Sequence, residues 1–171
     1  MRTPRAHRFL ERAFRAGKQR NGMHLVEYTV LPDHVHLIVE VENREQLSRG
    51  MQGLNIRLAK ALNRHWRRKG KVLADRYFAV VVKSTYQAMK VLKYVLNNAR
   101  KHGLRLPAGT PDPYSSAKWF RRWRGDHRRP LRSPPVMDAW SWEPWTRLDL
   151  DEVPGRRAPS WTREEVLAQV T

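Results

Sequence analysis

Apolar residues recur at helical spacing in three stretches of the chain, as expected for amphipathic helices that each bury one face. A Ser, Thr or Asn stands immediately before each stretch, where its side chain can accept a hydrogen bond from the first turn. In the first stretch Pro4 takes the first helical position, which its fixed φ suits. The pattern predicts helices over residues 3–18, 44–68 and 85–102, capped by Thr3, Asn43 and Ser84 or Thr85.

Period-two alternation and β-branched or aromatic residues predict strands over residues 23–31, 34–41 and 77–83. Pro32-Asp33 makes a tight turn between the first two, which indicates a hairpin. In the second strand alternate residues fall on opposite faces. One face is predicted to carry Val35, Leu37, Val39 and Val41, and the other His34, His36, Ile38 and Glu40.

The order helix, strand, strand, helix, strand, helix indicates an α+β domain, an antiparallel sheet with helices on a face. It matches a ferredoxin-like (RRM-like) sheet that lacks its first strand, and we assign residues 1–103 to this domain. After Gly103 prolines and tryptophans become frequent and the periodicity fades. We predict that residues 104–171 form a basic extension packed on the domain, with a short helix over 161–170.

The net positive charge limits the classes of function that fit this chain. The 171 residues include 34 Lys and Arg against 16 Asp and Glu, a formal net charge of +18. So many positive charges repel one another in a compact fold unless a polyanion neutralises them. The charge therefore indicates a nucleic acid as the partner. The apolar stretches are too short to span a bilayer, so no membrane partner is expected. The chain has no cysteine, which excludes disulfides and thiolate metal sites, and we expect a cytoplasmic, nucleoid-associated protein.

His34 and His36 stand two apart on a predicted strand, so both imidazoles project from one face and can converge on one divalent ion. Tyr94 and Asn98 stand four apart on a predicted helix and share a face that could cross the histidines. Each pair also has a plain interpretation: two histidines without a metal, and a tyrosine at the edge of the core beside a solvated asparagine.

A divalent ion held by two neutral imidazoles and an amide oxygen keeps open positions and can polarise a phosphodiester. A tyrosine oxygen can then displace one ester oxygen, giving a covalent phosphotyrosine and a free hydroxyl. Oxygen-rich coordination suits Mg²⁺ or Mn²⁺. The residues therefore predict metal-dependent phosphoryl transfer on a nucleic acid.

LPDHVHLIVE at 31–40 resembles the HUH motif (His, bulky hydrophobic, His) of single-tyrosine transposases, and KYVLNNARKHGL at 93–104 resembles their tyrosine helix. ADRYFAVVV at 74–82 and PDPYSSAKWF at 111–120 resemble flanking segments of the REP-associated tyrosine transposase branch. The resemblance covers about residues 1–123.

The resemblance implies that His34 and His36 are metal ligands, Asn98 a third ligand and Tyr94 the nucleophile. It implies a mobile-element enzyme that cuts and rejoins single-stranded or hairpin DNA through a 5′-phosphotyrosine, as a monomer or a homodimer. Asp33 stands where the family commonly has Asn. Members usually begin with a strand before the first helix, whereas Met1 here is almost at the helix.

Basic and aromatic residues form the predicted nucleic-acid surface, because Lys and Arg neutralise phosphates and aromatic rings stack on unpaired bases. For any single charge a solvated surface position is the plain alternative. The predicted contacts are Arg57, Lys60, Arg64, Arg67, Arg68, Lys69, Lys71, Arg76, Lys90, Lys101, Trp119, Arg121, Arg122 and Arg124.

Two further functions stay open at this stage. A catalytically inactive or domesticated relative would bind DNA or RNA without cutting it, and its binding would not depend on the histidines. A metal-dependent phosphodiesterase would use activated water instead of tyrosine and would form no covalent adduct.

Overall fold

The computed structural model describes residues 1–74 and 77–124, residues 137 and 148, and the backbone of 168–170. These residues form an α+β fold, as predicted. Its elements are α1 (Pro4–Gly17), β1 (His24–Val30), β2 (Val35–Glu40), α2 (Arg44–Trp66), α3 (Thr85–Leu96), α4 (Asn98–Lys101), a 3₁₀ turn (Ser116–Lys118) and β3 (Ala168–Val170). None of the helices in this described part is long and apolar enough to cross a membrane.

The three long helices begin at the predicted caps. The Thr3 hydroxyl accepts from the Ala6 N–H at 3.2 Å, and the Asn43 and Ser84 side chains make the same kind of bond to their own first turns. Each bond satisfies one of the N–H groups that the first turn of a helix leaves unpaired. The predicted helix over 85–102 is interrupted, however, because α3 ends at Leu96 and α4 starts after Asn97.

β1 and β2 form the predicted antiparallel hairpin, with Thr29 opposite His36. The Leu31 N–H donates to the His34 carbonyl at 2.8 Å and closes the turn at Pro32-Asp33. β3 pairs antiparallel with β2, so that the strand order is β1-β2-β3. The ferredoxin-like arrangement itself stays a prediction.

Two sequence predictions about local structure are wrong. Residues 77–83 form no strand, although they are rich in β-branched side chains. Residues 168–170 belong to β3, whereas the sequence predicted a helix over 161–170, of which the rest lies outside the described residues. Because β propensity depends on the neighbours that a strand meets, local composition alone does not decide either conformation.

The two faces of the hairpin pack against different helices. Leu25, Tyr28, Val35 and Leu37 enter one core with α1 and α2. Val26 and Ile38 enter a second core with α3. Successive residues of a strand point to opposite faces, so this division gives β2 an aliphatic face toward α1 and α2 and a second face toward α3.

The segment 112–118 lies along the free edge of β1. Ser115 forms a bridge with Thr29, and the Ser116 hydroxyl accepts from the Tyr28 N–H at 2.9 Å and donates to the Tyr28 carbonyl at 3.1 Å. These bonds pair backbone groups that an edge strand would otherwise leave open. The first residues after Gly103 therefore complete the sheet on the side away from β3.

A buried ion pair ties the start of the chain to this segment. The guanidinium of Arg2 makes two bonds to the Asp112 carboxylate, at 2.8 and 2.7 Å, and donates to the Val30 carbonyl at 2.6 Å. The side chains are 10% and 1% exposed, so neither charge has water as an alternative partner.

We expect Arg2→Met to lower the free energy of unfolding by about 3 kcal/mol, because it leaves the Asp112 carboxylate buried and unpaired. Arg49→Met is the matched control. Its ion pair with Glu45 is as short, at 2.7 Å, but both side chains are 69% exposed, and its loss should cost under about 1 kcal/mol. Urea unfolding of both variants tests this, and equal losses would show that the Arg2 pair contributes no more than a surface contact.

Candidate catalytic and metal site

The hairpin brings the two predicted histidines together. His34 immediately precedes β2 and His36 is its second residue, and they are 8% and 1% exposed. Their rings meet edge to face, with centroids 4.8 Å apart, and the two Nε2 atoms lie 3.2 Å apart. Both rings therefore present the same nitrogen to one point on the α3 side of the sheet.

Asp33 orients the first histidine. Its Oδ1 lies 2.8 Å from His34 Nδ1, and this hydrogen bond is the main cause that lowers the pKa of Asp33. A carboxylate that accepts from Nδ1–H leaves the lone pair of His34 on Nε2, the atom that faces His36. From the sequence, Asp33 was predicted only as a turn residue; a carboxylate adjacent to a candidate ligand is the signal that could have identified it.

His36 is held in its neutral form. Burial is the largest cause, and together with His34, His102 and Lys101 it lowers the pKa of His36 to about 3. Its Nδ1 is buried and has no hydrogen-bond partner within the described part of the chain. A neutral imidazole is the form that binds a metal ion, so His36 is ready to act as a ligand at neutral pH.

Helix α3 places Tyr94 against this pair. The Tyr94 ring is half-buried, with its centroid 5.4 Å from that of His36. The Nζ of Lys101 lies 4.3 Å from the centre of the Tyr94 ring. The Thr29 hydroxyl donates to the Val95 carbonyl, which fastens α3 to the sheet one residue from the tyrosine. The predicted meeting of the histidine strand and the tyrosine helix is present in the structure.

Asn98 is the first residue of α4, four positions after Tyr94 and four before His102, and its carbonyl accepts from the His102 N–H at 3.0 Å. It is completely buried, and neither oxygen nor nitrogen of its amide has a hydrogen-bond partner among the described residues. Buried polar atoms without a partner are rare and costly. A buried amide without a partner, at the start of the helix that follows Tyr94 in the chain, fits a side chain whose partner is a ligand.

His102 is a member of the cluster that the sequence analysis missed. Its ring centroid lies 5.5 Å from that of His34, and the nearest ligand nitrogens of His34, His36 and His102 all lie within 4.8 Å of one another. Burial, followed by His34 and Lys101, lowers the pKa of His102. The four-residue spacing from Asn98 is the signal that could have found it.

The donor atoms fit a divalent ion. Two ligands about 2.1 Å from one ion, at an angle between octahedral and tetrahedral, lie about 3 Å apart, close to the 3.2 Å between the histidine Nε2 atoms. Neutral imidazoles, a carboxylate that fixes one of them and an unpaired amide are the chemistry expected around such an ion.

The predicted nucleic-acid residues fall into two groups. Those on α2 and just after it belong to the layer that packs against the opposite side of the sheet from the histidines. They are exposed except for the half-buried Arg57, and they are Arg57, Lys60, Arg64, Arg67, Arg68, Lys69 and Lys71. We call this group the α2 basic face. Lys90 and Lys101 lie on the helical segment that carries Tyr94.

The remaining predicted contacts are more varied. Trp119 is only 6% exposed and packs in the core with α1 and α2, so its ring is not presented at the surface. Arg121 and Arg124 are exposed and Arg122 is half-buried, while Arg76 lies outside the described residues.

A separate cleft of about 1310 Å³ opens between α2, the end of β2 and residues 77–82, and it is lined by neither the histidines nor Tyr94.

Comparison with known proteins agrees with this geometry. The sequence profile of the family described as "Transposase IS200 like" matches residues 2–98. The match covers more than half of the 171 residues and includes His34, His36, Tyr94 and Asn98. No curated protein and no solved structure matches the chain. The extent of the profile match shows that the chain belongs to the IS200-like transposase family.

Proposed function

We propose that this transposase cuts and rejoins single-stranded DNA, with Tyr94 as the nucleophile. The observation that carries the proposal is the contact between the Tyr94 ring and the ring of His36, whose Nε2 lies 3.2 Å from that of His34. A nucleophile and a pair of metal-binding nitrogens thereby share one site, as phosphoryl transfer by a tyrosine requires.

His34, His36 and Asn98 would hold Mg²⁺ or Mn²⁺. Support comes from the convergent Nε2 atoms, the Asp33 carboxylate behind His34 and the unpaired amide of Asn98. The ion, when bound, would neutralise charge on a non-bridging oxygen of the scissile phosphate and hold the phosphate for in-line attack.

In the cutting step the Tyr94 oxygen attacks the phosphorus. The new bond joins phosphorus to the tyrosine oxygen, which gives up its proton. The bond from phosphorus to the 3′-oxygen breaks, and the departing 3′-oxygen takes up a proton, so that the step has no net gain or loss of protons. The products are a 5′-phosphotyrosine and a free 3′-hydroxyl. A 3′-hydroxyl can reverse the step on the same or another strand, so rejoining needs no external energy source.

Lys101 would support this step electrostatically. Its ammonium group lies 4.3 Å from the centre of the Tyr94 ring. A positive charge there favours negative charge that gathers on the tyrosine oxygen and the phosphate. Lys101 therefore raises the rate of the cutting step, whereas more distant cations raise the affinity for DNA.

The tyrosine comes from the same chain as the histidines, which supports a site that is complete in one molecule. The half-buried ring of Tyr94 leaves room for a flexible, unpaired strand to reach it. The net charge of +18 supports binding to the phosphate backbone without regard to sequence.

We expect Tyr94→Phe to abolish the covalent protein–DNA adduct while DNA affinity changes little. Tyr86→Phe is the matched control, because Tyr86 lies on the same helix and has Lys90 at 4.2 Å from its ring, but is 63% exposed. Incubation with hairpin-bearing single-stranded DNA and Mn²⁺, followed by denaturing electrophoresis, measures the adduct. Equal adduct in wild type and Tyr94→Phe would eliminate Tyr94 as the nucleophile.

Chelation should separate catalysis from binding. With EDTA in place of Mn²⁺ we expect no adduct, while salt-sensitive DNA binding persists because the surface cations do not need the ion. The same preparation should show both results by electrophoresis and by fluorescence anisotropy. Binding without adduct under either condition would instead support the non-catalytic relative.

Lys101→Gln should slow adduct formation at saturating DNA roughly tenfold, in the range expected for the loss of one nearby unit charge from a half-solvated site. Lys90→Gln removes the same charge from α3, the helix that carries Tyr94, and should lower DNA affinity slightly with the rate constant kept. Single-turnover kinetics separate the two quantities. The electrostatic role of Lys101 is wrong if both variants change only affinity.

A further inference from the structure

His102 is not among the three ligands proposed above, yet it lies beside two of them, His34 and His36. Its ring centroid lies 5.5 Å from that of His34, at 66° to it, and its nearest ligand nitrogen lies within 4.8 Å of those of His34 and His36. Small rotations of an imidazole about its side-chain torsions cover such a distance. His102 can therefore approach the same point as the other two rings.

The backbone of His102 is fixed by the end of the helical segment. The His102 N–H donates to the Asn98 carbonyl at 3.0 Å, and the Leu104 N–H donates to the Ala99 carbonyl at 3.0 Å across the turn. Gly103 takes φ +70, which lets the chain leave the helix immediately after the histidine. His102 is thus held at the last position of the segment from which it can reach the cluster.

His102 also differs from its partners in exposure. His34 and His36 are buried, whereas His102 is exposed and bounds the cluster on its solvent side. The cluster therefore combines two buried rings from the sheet with one ring at the surface.

We propose that His102 is a further ligand of the divalent ion at His34 and His36, and that this third imidazole makes the site prefer Mn²⁺ or Co²⁺ to Mg²⁺. The inference rests on the proposed function, because it assumes an ion at the histidine pair. Imidazole nitrogens suit first-row transition ions, whereas Mg²⁺ prefers oxygen ligands and retains water. Each added histidine shifts the preference in the same direction.

Calorimetric titration of the full chain, purified without a polyhistidine tag and without DNA, tests the proposal with Mn²⁺, Co²⁺ and Mg²⁺ in turn. We expect His102→Ala to weaken Mn²⁺ and Co²⁺ binding at least about tenfold, the lower end of what losing even an outer partner of a ligand costs. Mg²⁺ affinity should change little, so that the preference largely disappears. His24→Ala, at an exposed histidine on β1, is the matched control.

The visible absorption of bound Co²⁺ gives an independent readout, because it responds to the number of nitrogen ligands. His102→Ala should change this spectrum and His24→Ala should not. Wild-type affinity and spectrum in His102→Ala would overturn the proposal and leave the histidine pair intact as a site. If the wild-type protein binds none of the ions, or a His34→Ala/His36→Ala variant binds them equally well, the metal site of the proposed function fails as well.

Thermal unfolding without metal checks that the variants are comparable. His102 is exposed, so His102→Ala should melt close to wild type in EDTA. Mn²⁺ should then raise the melting temperature of wild type more than that of His102→Ala, since stabilisation follows affinity. Equal Mn²⁺ stabilisation of the two proteins would count against His102 as a ligand.

Discussion

The six-residue strand β2 is buried on both faces, and each face packs against a different layer of helices. The rest of the structure depends on this double packing. Val35 and Leu37 enter the core with α1 and α2, while His36 and Ile38 face α3. Because side chains alternate along a strand, a slip of one residue would move the histidines into the aliphatic core. The hydrophobic packing that fixes the register of the hairpin therefore also fixes the site.

The tyrosine helix depends on a second constraint, the polar link between the Thr29 hydroxyl and the Val95 carbonyl. Thr29 is opposite His36 in the hairpin, so the link joins the helix to the sheet beside the histidines. The interruption at Asn97 lies just beyond it. Tyr94 and His102 thus stand on either side of an anchored point, and each meets a different histidine.

Local sequence signals were sufficient where chemistry acts over a few residues. The caps, the hairpin turn and the spacing of His34 with His36 all follow from such signals. Local signals were insufficient where residues far away in the sequence determine the conformation or the burial. Residues 77–83 have strand propensity but form no strand, and Trp119 is buried by elements that are distant in sequence. His102 was not predicted from the sequence, because Tyr94, Asn98 and the two histidines already supplied a nucleophile and three ligands. His102 nevertheless follows Asn98 by four residues, about one turn of a helix.

Under the proposed function, positive charge in this protein would serve two separable purposes. The α2 basic face lies on the layer opposite the histidines, and screening limits the reach of an exposed charge to about 8 Å at physiological salt. Its residues can draw DNA to the surface, but they are poorly placed to act on a phosphate at Tyr94. Lys101 is beside that tyrosine, and after burial and the neighbouring histidines it is a further cause that lowers the pKa of His36 and of His102. Under the proposed function, this lysine would favour both an uncharged His36 and negative charge on Tyr94, which the net charge alone could not do.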